Sequence, residues 1–272
     1  MKTRPYLMWI LLIVSTVFAS CKKEQINNLQ PLTGKNKAVA VNPVTNLITN
    51  QTTINFSGYT WQVKDSGSGT AGPWANYWSS SNVFVDANGY LHLKLTKDLS
   101  NNTWKCSEVI MLDTLGYGTY QWKVVGRIDT LDHNIVFGLF NYSGVNLHDE
   151  MDIEFSRWGY PNNANNLNYT VWPAVGVTTP KNVEYLQNFT LTGDWTTHRF
   201  TRTANSIVFK SLHGHQDGNT NLFATKTWNA PATSISTVPM PVRMNLWLFK
   251  TVPPSNGQNV EIIIREFKYI PL

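Results

Sequence analysis

Short strand-like runs, with no long helical period between them, are what most constrain this chain. They recur at 81–85, 91–96, 106–112, 118–127, 134–140, 149–155, 168–172, 198–203, 206–211, 243–249 and 260–269. Turn chemistry separates several of them, as in Asp86-Ala87-Asn88-Gly89. No stretch gives a convincing long amphipathic helix, so nothing is available to cover a parallel sheet. Strands this short and this numerous imply two packed antiparallel sheets, an all-β sandwich of the jelly-roll kind.

One run carries chemistry as well as structure. In His148-Asp149-Glu150-Met151-Asp152-Ile153-Glu154-Phe155 the even positions hold His148, Glu150, Asp152 and Glu154, and the odd ones are apolar except for Asp149. That period of two predicts a half-buried strand with Met151, Ile153 and Phe155 in the core and three carboxyls on the other face. His148 is expected to share the carboxylate face. Neighbouring carboxyls start roughly 7 Å apart at Cα, and like charges that close in a partly dry groove resist joint ionisation. Asp and Glu are also poor strand formers. The same spacing fits a plain solvated acidic face. A hard cation accepts oxygen ligands, yet three carboxylates on one flat strand do not converge on a point.

Glycoside hydrolysis suits the arrangement. A retaining mechanism needs two carboxyls about 5–5.5 Å apart. Glu150 and Glu154 are about 13 Å apart at Cα on a straight strand. Long side chains leaning together over a concave sheet could close that gap, with Asp152 between them sharing a proton.

Glu150-Met151-Asp152-Ile153-Glu154 resembles the catalytic Glu-x-Asp-x-Glu strand of glycoside hydrolase family 16. It looks most like the lichenase and xyloglucan endotransglycosylase version, which lacks the extra bulge residue of the laminarinase and agarase branches. The resemblance implies Glu150 as nucleophile, Asp152 as helper and Glu154 as acid/base. It implies a concanavalin-like sandwich with a concave cleft, and a β-1,3/1,4- or β-1,4-glucan ahead of agar or carrageenan. Other stretches carry the same resemblance: 81–93, an early hairpin; Tyr117-Gly118-Thr119-Tyr120, a Tyr-Gly-x-Tyr strand; Asp194-Trp195 with His198-Arg199-Phe200; and Met244-Asn245-Leu246-Trp247 with 260–269. Together they run from about residue 55 to 270. After Tyr-Gly-x-Tyr this chain has Gln121 and Lys123 where the family has Glu and Arg. By the resemblance these positions line the cleft, and Lys cannot reproduce the bidentate contacts of Arg.

The N-terminus reads as a targeting segment. Lys2 and Arg4 precede an apolar run from Tyr6 to Phe18, too short for an ordinary membrane span. Phe18-Ala19-Ser20-Cys21 resembles a bacterial lipobox, which implies lipidation of Cys21 after removal of a signal peptide at 1–20. A polar stretch at 21–50, broken by Pro31 and Pro43, reads as a tether. The hydrolase-like domain is expected at 51–272. The implied location is a bacterial cell envelope, lipid-anchored to a membrane and facing periplasm or exterior.

With Cys21 so claimed, Cys106 is left alone and is expected as a buried small hydrophobe. The net charge of +5 comes without a basic run, which gives no case for nucleic acid. Eleven Trp suit both a sandwich core and a sugar cleft, since indole rings stack on apolar sugar faces. Trp158, Trp172 and Trp247 are the candidates for the cleft, with His148, Gln121 and Lys123 as further contacts. The chemistry requires no cofactor or catalytic metal; a structural Ca2+ stays open. The expected protein is a monomeric, endo-acting, retaining glycoside hydrolase on a β-linked polysaccharide. Its alternatives are a transglycosylase on the same site and a non-catalytic glycan-binding lipoprotein.

Overall fold

The computed structural model describes residues 52–177, 183–228 and 232–272. The expected signal peptide at 1–20, Cys21 and the expected tether to residue 50 lie outside the described residues. Among these, the strands in chain order are β1 Thr53–Phe56, β2 Tyr59–Val63, β3 Tyr77–Trp78, β4 Val83–Val85, β5 Leu91–Asp98, β6 Thr103–Met111, β7 Gly118–Val125, β8 Ile135–Tyr142, β9 Glu150–Phe155, β10 Leu167–Trp172, β11 Val183–Gln187, β12 Trp195–Arg202, β13 Ile207–His213, β14 Leu222–Trp228, β15 Val242–Leu248 and β16 Val260–Pro271.

They form the expected all-β jelly-roll sandwich. One sheet runs β11-β10-β9-β8-β15-β6, with β2 and then β1 beyond β6. The other runs β4-β5-β16-β7-β12-β13-β14. Strand β6 belongs to both arrays. Its residues 103–105 pair with β5, and residues 107–110 pair with β15. Apart from β3, which lies parallel to β6, every pairing is antiparallel. The turn at Asp86–Gly89 forms as its sequence demands. Asp86 Oδ1 accepts the backbone N–H groups of Asn88 and Tyr90, both at 2.9 Å, and Gly89 takes φ +79°, a value that costs glycine little.

The core is the apolar interface between the sheets. Met151, Ile153 and Phe155 of β9 are fully buried there, each worth about 2 kcal/mol relative to exposure. Phe155 meets His198 of β12 edge-on at 4.7 Å, and Tyr169 of β10 stacks on Phe209 of β13 at 4.8 Å. Trp122 of β7 lies between Phe200 and Phe267. Cys106 is buried as expected, and burial pushes its thiol up to about 12.

His198 is the polar exception in this core. Its Nδ1 lies 2.7 Å from Ser211 Oγ and its Nε2 2.8 Å from Thr196 Oγ1. Burial, aided by His213, pushes its pKa down to about 3. The folded protein therefore keeps this ring neutral in acid that protonates the unfolded chain, whose ordinary value is near 6.5. The stability it confers is complete above that value and drains as pH falls toward about 3. His198→Gln should flatten the acid-side loss of stability by about 1 kcal/mol per pH unit between pH ~6 and ~4. Urea unfolding across that range measures this, and parallel curves for the two proteins would contradict it.

Candidate active site

Strand β9 lies between β8 and β10, well inside its sheet. Its alternation turns Glu150, Asp152 and Glu154 to the face away from the core. Glu150 and Asp152 are nonetheless only 7% and 4% exposed, whereas Glu154 is half-buried. They are therefore recessed among larger neighbours on the outer face, Trp172 and Tyr142 beside Glu150 and Phe140 beside Asp152, and the outer face is a groove.

Register fixes what stands beside each carboxylate. Glu154 faces Asn168 on β10 and Gly138 on β8, and Gly138 faces Asn245 on β15, which faces Glu108 on β6. Asp152 faces Thr170 on one side and Phe140 on the other, with Arg243 beyond Phe140. Glu150 faces Trp172 and Tyr142. Gly138 leaves a gap in the first row that the Asn245 amide enters. A Cβ there would stand 2.5 Å from Asn245 Oδ1. That oxygen is buried and accepts no hydrogen bond.

At the far end of the groove one acid sits between two cations. Glu108, 2% exposed, receives Lys64 Nζ at 3.1 Å and Arg243 Nη1 at 3.3 Å. Lys64 also donates to Gly72 O at 2.6 Å and lies 3.9 Å over the Trp78 ring. It thereby ties the loop between β2 and β3 to the outer face of β6. In that loop Trp74 stacks on Trp247 at 5.8 Å and meets Phe249 edge-on at 4.8 Å.

Known structures share this architecture. No protein-family model matches the sequence, and no curated relative does. Among solved structures, the β-glucanase of Bacillus licheniformis is 25% identical over 80% of this chain and 95% of its own, with a TM-score of 0.58. A glycoside hydrolase family 16 endo-glucanase from Bacteroides ovatus, in complex with G4G3G-2F-DNP, aligns over 77% and 94% at 11% identity and a TM-score of 0.59. The fold is that of glycoside hydrolase family 16. A Mycobacterium tuberculosis protein described as an immunostimulatory antigen and pseudo β-1,3-glucanase has it too, at 18% identity, 78% and 91% coverage and a TM-score of 0.56.

Within this family 16 fold the cleft candidates separate. Trp172, across from Glu150, is half-buried on the groove face. Trp158 stands just past β9 and donates from Nε1 to Asn168 Oδ1 at 3.1 Å. Trp247 faces the groove side of β15 but is 2% exposed, because Trp74 covers it. The ring presented on that wall is Trp74.

Three expectations need correcting. His148 does not share the strand face. Asp149, at φ +50°, breaks the alternation before β9 begins, and His148 Nδ1 instead lies 3.2 Å from Pro173 O. Gln121 and Lys123 are not in the groove. They flank the core residue Trp122 on β7 and so point outward from the other sheet, where both bind Asp217 at 3.0 Å and Lys123 also binds Glu266 at 2.8 Å. The groove residues that sequence reasoning missed are Glu108, Arg243, Asn245 and Trp74. For Glu108 a signal was present: it is a lone acid in a run of apolar and small residues on a predicted strand.

Glu108→Gln should cost about 2–3 kcal/mol. It leaves Lys64 and Arg243 without their shared carboxylate. Their own 21% and 22% exposure holds the loss below that of a fully buried pair. An unchanged urea midpoint would mean that solvent already screens the pair.

Proposed function

We propose that this protein is an endo-acting retaining glycoside hydrolase that cleaves a β-glucan by double displacement. The observation that carries the reading is the carboxylate trio on the groove face of β9, Glu150, Asp152 and Glu154, each locked there by core packing of the alternate residues. The β-glucanase and endo-glucanase among its structural neighbours support it.

In this reading Glu154 protonates the glycosidic oxygen while a Glu150 carboxylate oxygen bonds to the anomeric carbon. The C–O bond to the leaving sugar breaks, and a glycosyl ester remains. Glu154, now a carboxylate, takes a proton from water as that water attacks the same carbon and frees Glu150. Half-burial suits Glu154, which must meet both substrate and water. Deeper burial suits Glu150, which meets only the sugar carbon. Asp152, between them, orients Glu150 and keeps the pair in different protonation states. An acceptor sugar in place of water would make the same site a transglycosylase.

Glu150→Gln and Glu154→Gln should each lower turnover of a natural β-glucan by at least about 10^3-fold. With an aryl glycoside that needs no proton, Glu154→Gln plus azide should yield a β-glycosyl azide, because azide attacks the glycosyl ester without a base. Glu150→Gln should yield none. A β-glycosyl azide from Glu150→Gln alone would reverse the two roles. Near-normal rates in both variants would make the β9 carboxylates a plain acidic face, and binding of β-glucans without turnover by the wild type would leave a glycan-binding protein.

The location follows from Cys21 and is proposed with the function: a lipid-anchored envelope enzyme with the domain held off the membrane by residues 21–50. Wild type should fractionate with membranes and Cys21→Ala with the soluble fraction. Equal solubility of the two would remove the anchor.

A further inference from the structure

A hollow lies beside the Glu154 end of the groove. A cavity of about 320 Å³ lies among His133, Asn134, Trp158, Tyr160, Phe249 and Lys250. It sits off the ends of the strands, not on their face. Asn134 precedes β8, Trp158 follows β9 by three residues, and Phe249 follows β15 directly. All three are at the Glu154 end of the groove.

The chamber is built, not left over. Three loops are stitched together around it: Gly159 N donates to His133 O at 2.7 Å, Phe249 N to Asn134 O at 2.8 Å, and Asn134 Nδ2 to Pro253 O at 2.9 Å. Trp158 is held at its backbone N–H by Ser156 Oγ and at Nε1 by Asn168, so its ring is fixed. Trp158, Lys250 and Thr251 all take positive φ, at +55°, +52° and +62°. For a bulky aromatic residue this is a true outlier, and strain of this kind persists where a site needs it. Gly159, at φ +78°, is tight against Phe249, 3.0 Å from where a Cβ would be, so the wall has no slack.

Its position relative to the polar rows sets its use. Asn168, Glu154, Asn245 and Glu108 line up across the strands, as do Thr170, Asp152 and Arg243. A polysaccharide laid on those rows runs across the strands. The chamber then lies to one side of the chain and not ahead of it. Its volume is at the small end for ligand pockets, room for one sugar ring and not a run of them. Trp158 and the 62%-exposed Tyr160 offer aromatic faces, and the Lys250 ammonium at the rim is a donor for hydroxyls.

We infer that this chamber takes a single-sugar branch of the substrate, so that the preferred β-glucan is a branched one. The inference rests on the glucanase reading and names the substrate class of that same groove.

The test is affinity electrophoresis of Glu150→Gln protein, which cannot digest the gel, through matched polymers. One pair is a β-1,3-glucan with single β-1,6-linked glucose branches and its linear form. The other is xyloglucan and a soluble unbranched β-1,4-glucan. At least fivefold tighter retardation by a branched member is expected, and adding Tyr160→Ala and Lys250→Ala should abolish that preference. Equal retardation by branched and linear polymers, or a preference that survives both substitutions, overturns the branch chamber and leaves the glucanase reading standing. No retardation by any of the four polymers overturns the branch chamber, and no retardation by a linear β-1,3/1,4-glucan as well overturns both.

Discussion

The site depends on how one face of β9 packs. Met151, Ile153 and Phe155 are held in the inter-sheet core by β8 and by His198 on the opposite sheet. Because successive residues of a strand point to opposite faces, burying those three leaves Glu150, Asp152 and Glu154 no choice of direction. A slip of one residue would drive three carboxyls into the core, so the register is enforced by a large penalty and not by any contact in the groove. The placement of the three carboxyls is in this sense a by-product of apolar packing beneath them.

Much of this was legible in the sequence, and for the same reason. Period two in 150–155 is a local property that survives folding unchanged. The turn at 86–89 is likewise set by its own residues. What failed was whatever required knowing which sheet a strand joins. Trp122, Tyr120 and Val124 show one face of β7, but nothing local says that the other face points away from the groove, so Gln121 and Lys123 were placed on the wrong side of the molecule. His148 was misread because Asp149, the one residue out of pattern, marked the end of the strand and not an exception within it. Trp74 lies in a loop whose position depends on Lys64 reaching Glu108, a pairing across 44 residues with no local signature. The edge strands β11 and β14 mix polar and apolar residues on each face and carry too weak an alternation to be seen.

The groove floor also shows how charge is distributed in a small dry volume. Glu108 is surrounded by two cations and serves structure. The β9 carboxylates stand three strands away, with Asn245 of β15 and Gly138 of β8 in the row between Glu154 and Glu108. The side chain between them is thus an uncharged amide, neither a further carboxylate nor a base.

Strand order in space differs from strand order in the chain, and this bears on how the protein is made. Among the described residues, the late strand β15 links β8 to β6, and β16 links β7 to β5. Until residues 242–271 have emerged, both sheets have a gap through the middle, and the half that holds the carboxylates has no partner for one edge of β8. Pairing over such sequence separations is slow to form. A chain that has not yet supplied residues 242–271 therefore cannot close the sandwich, and its earlier strands stay open at the centre of both sheets.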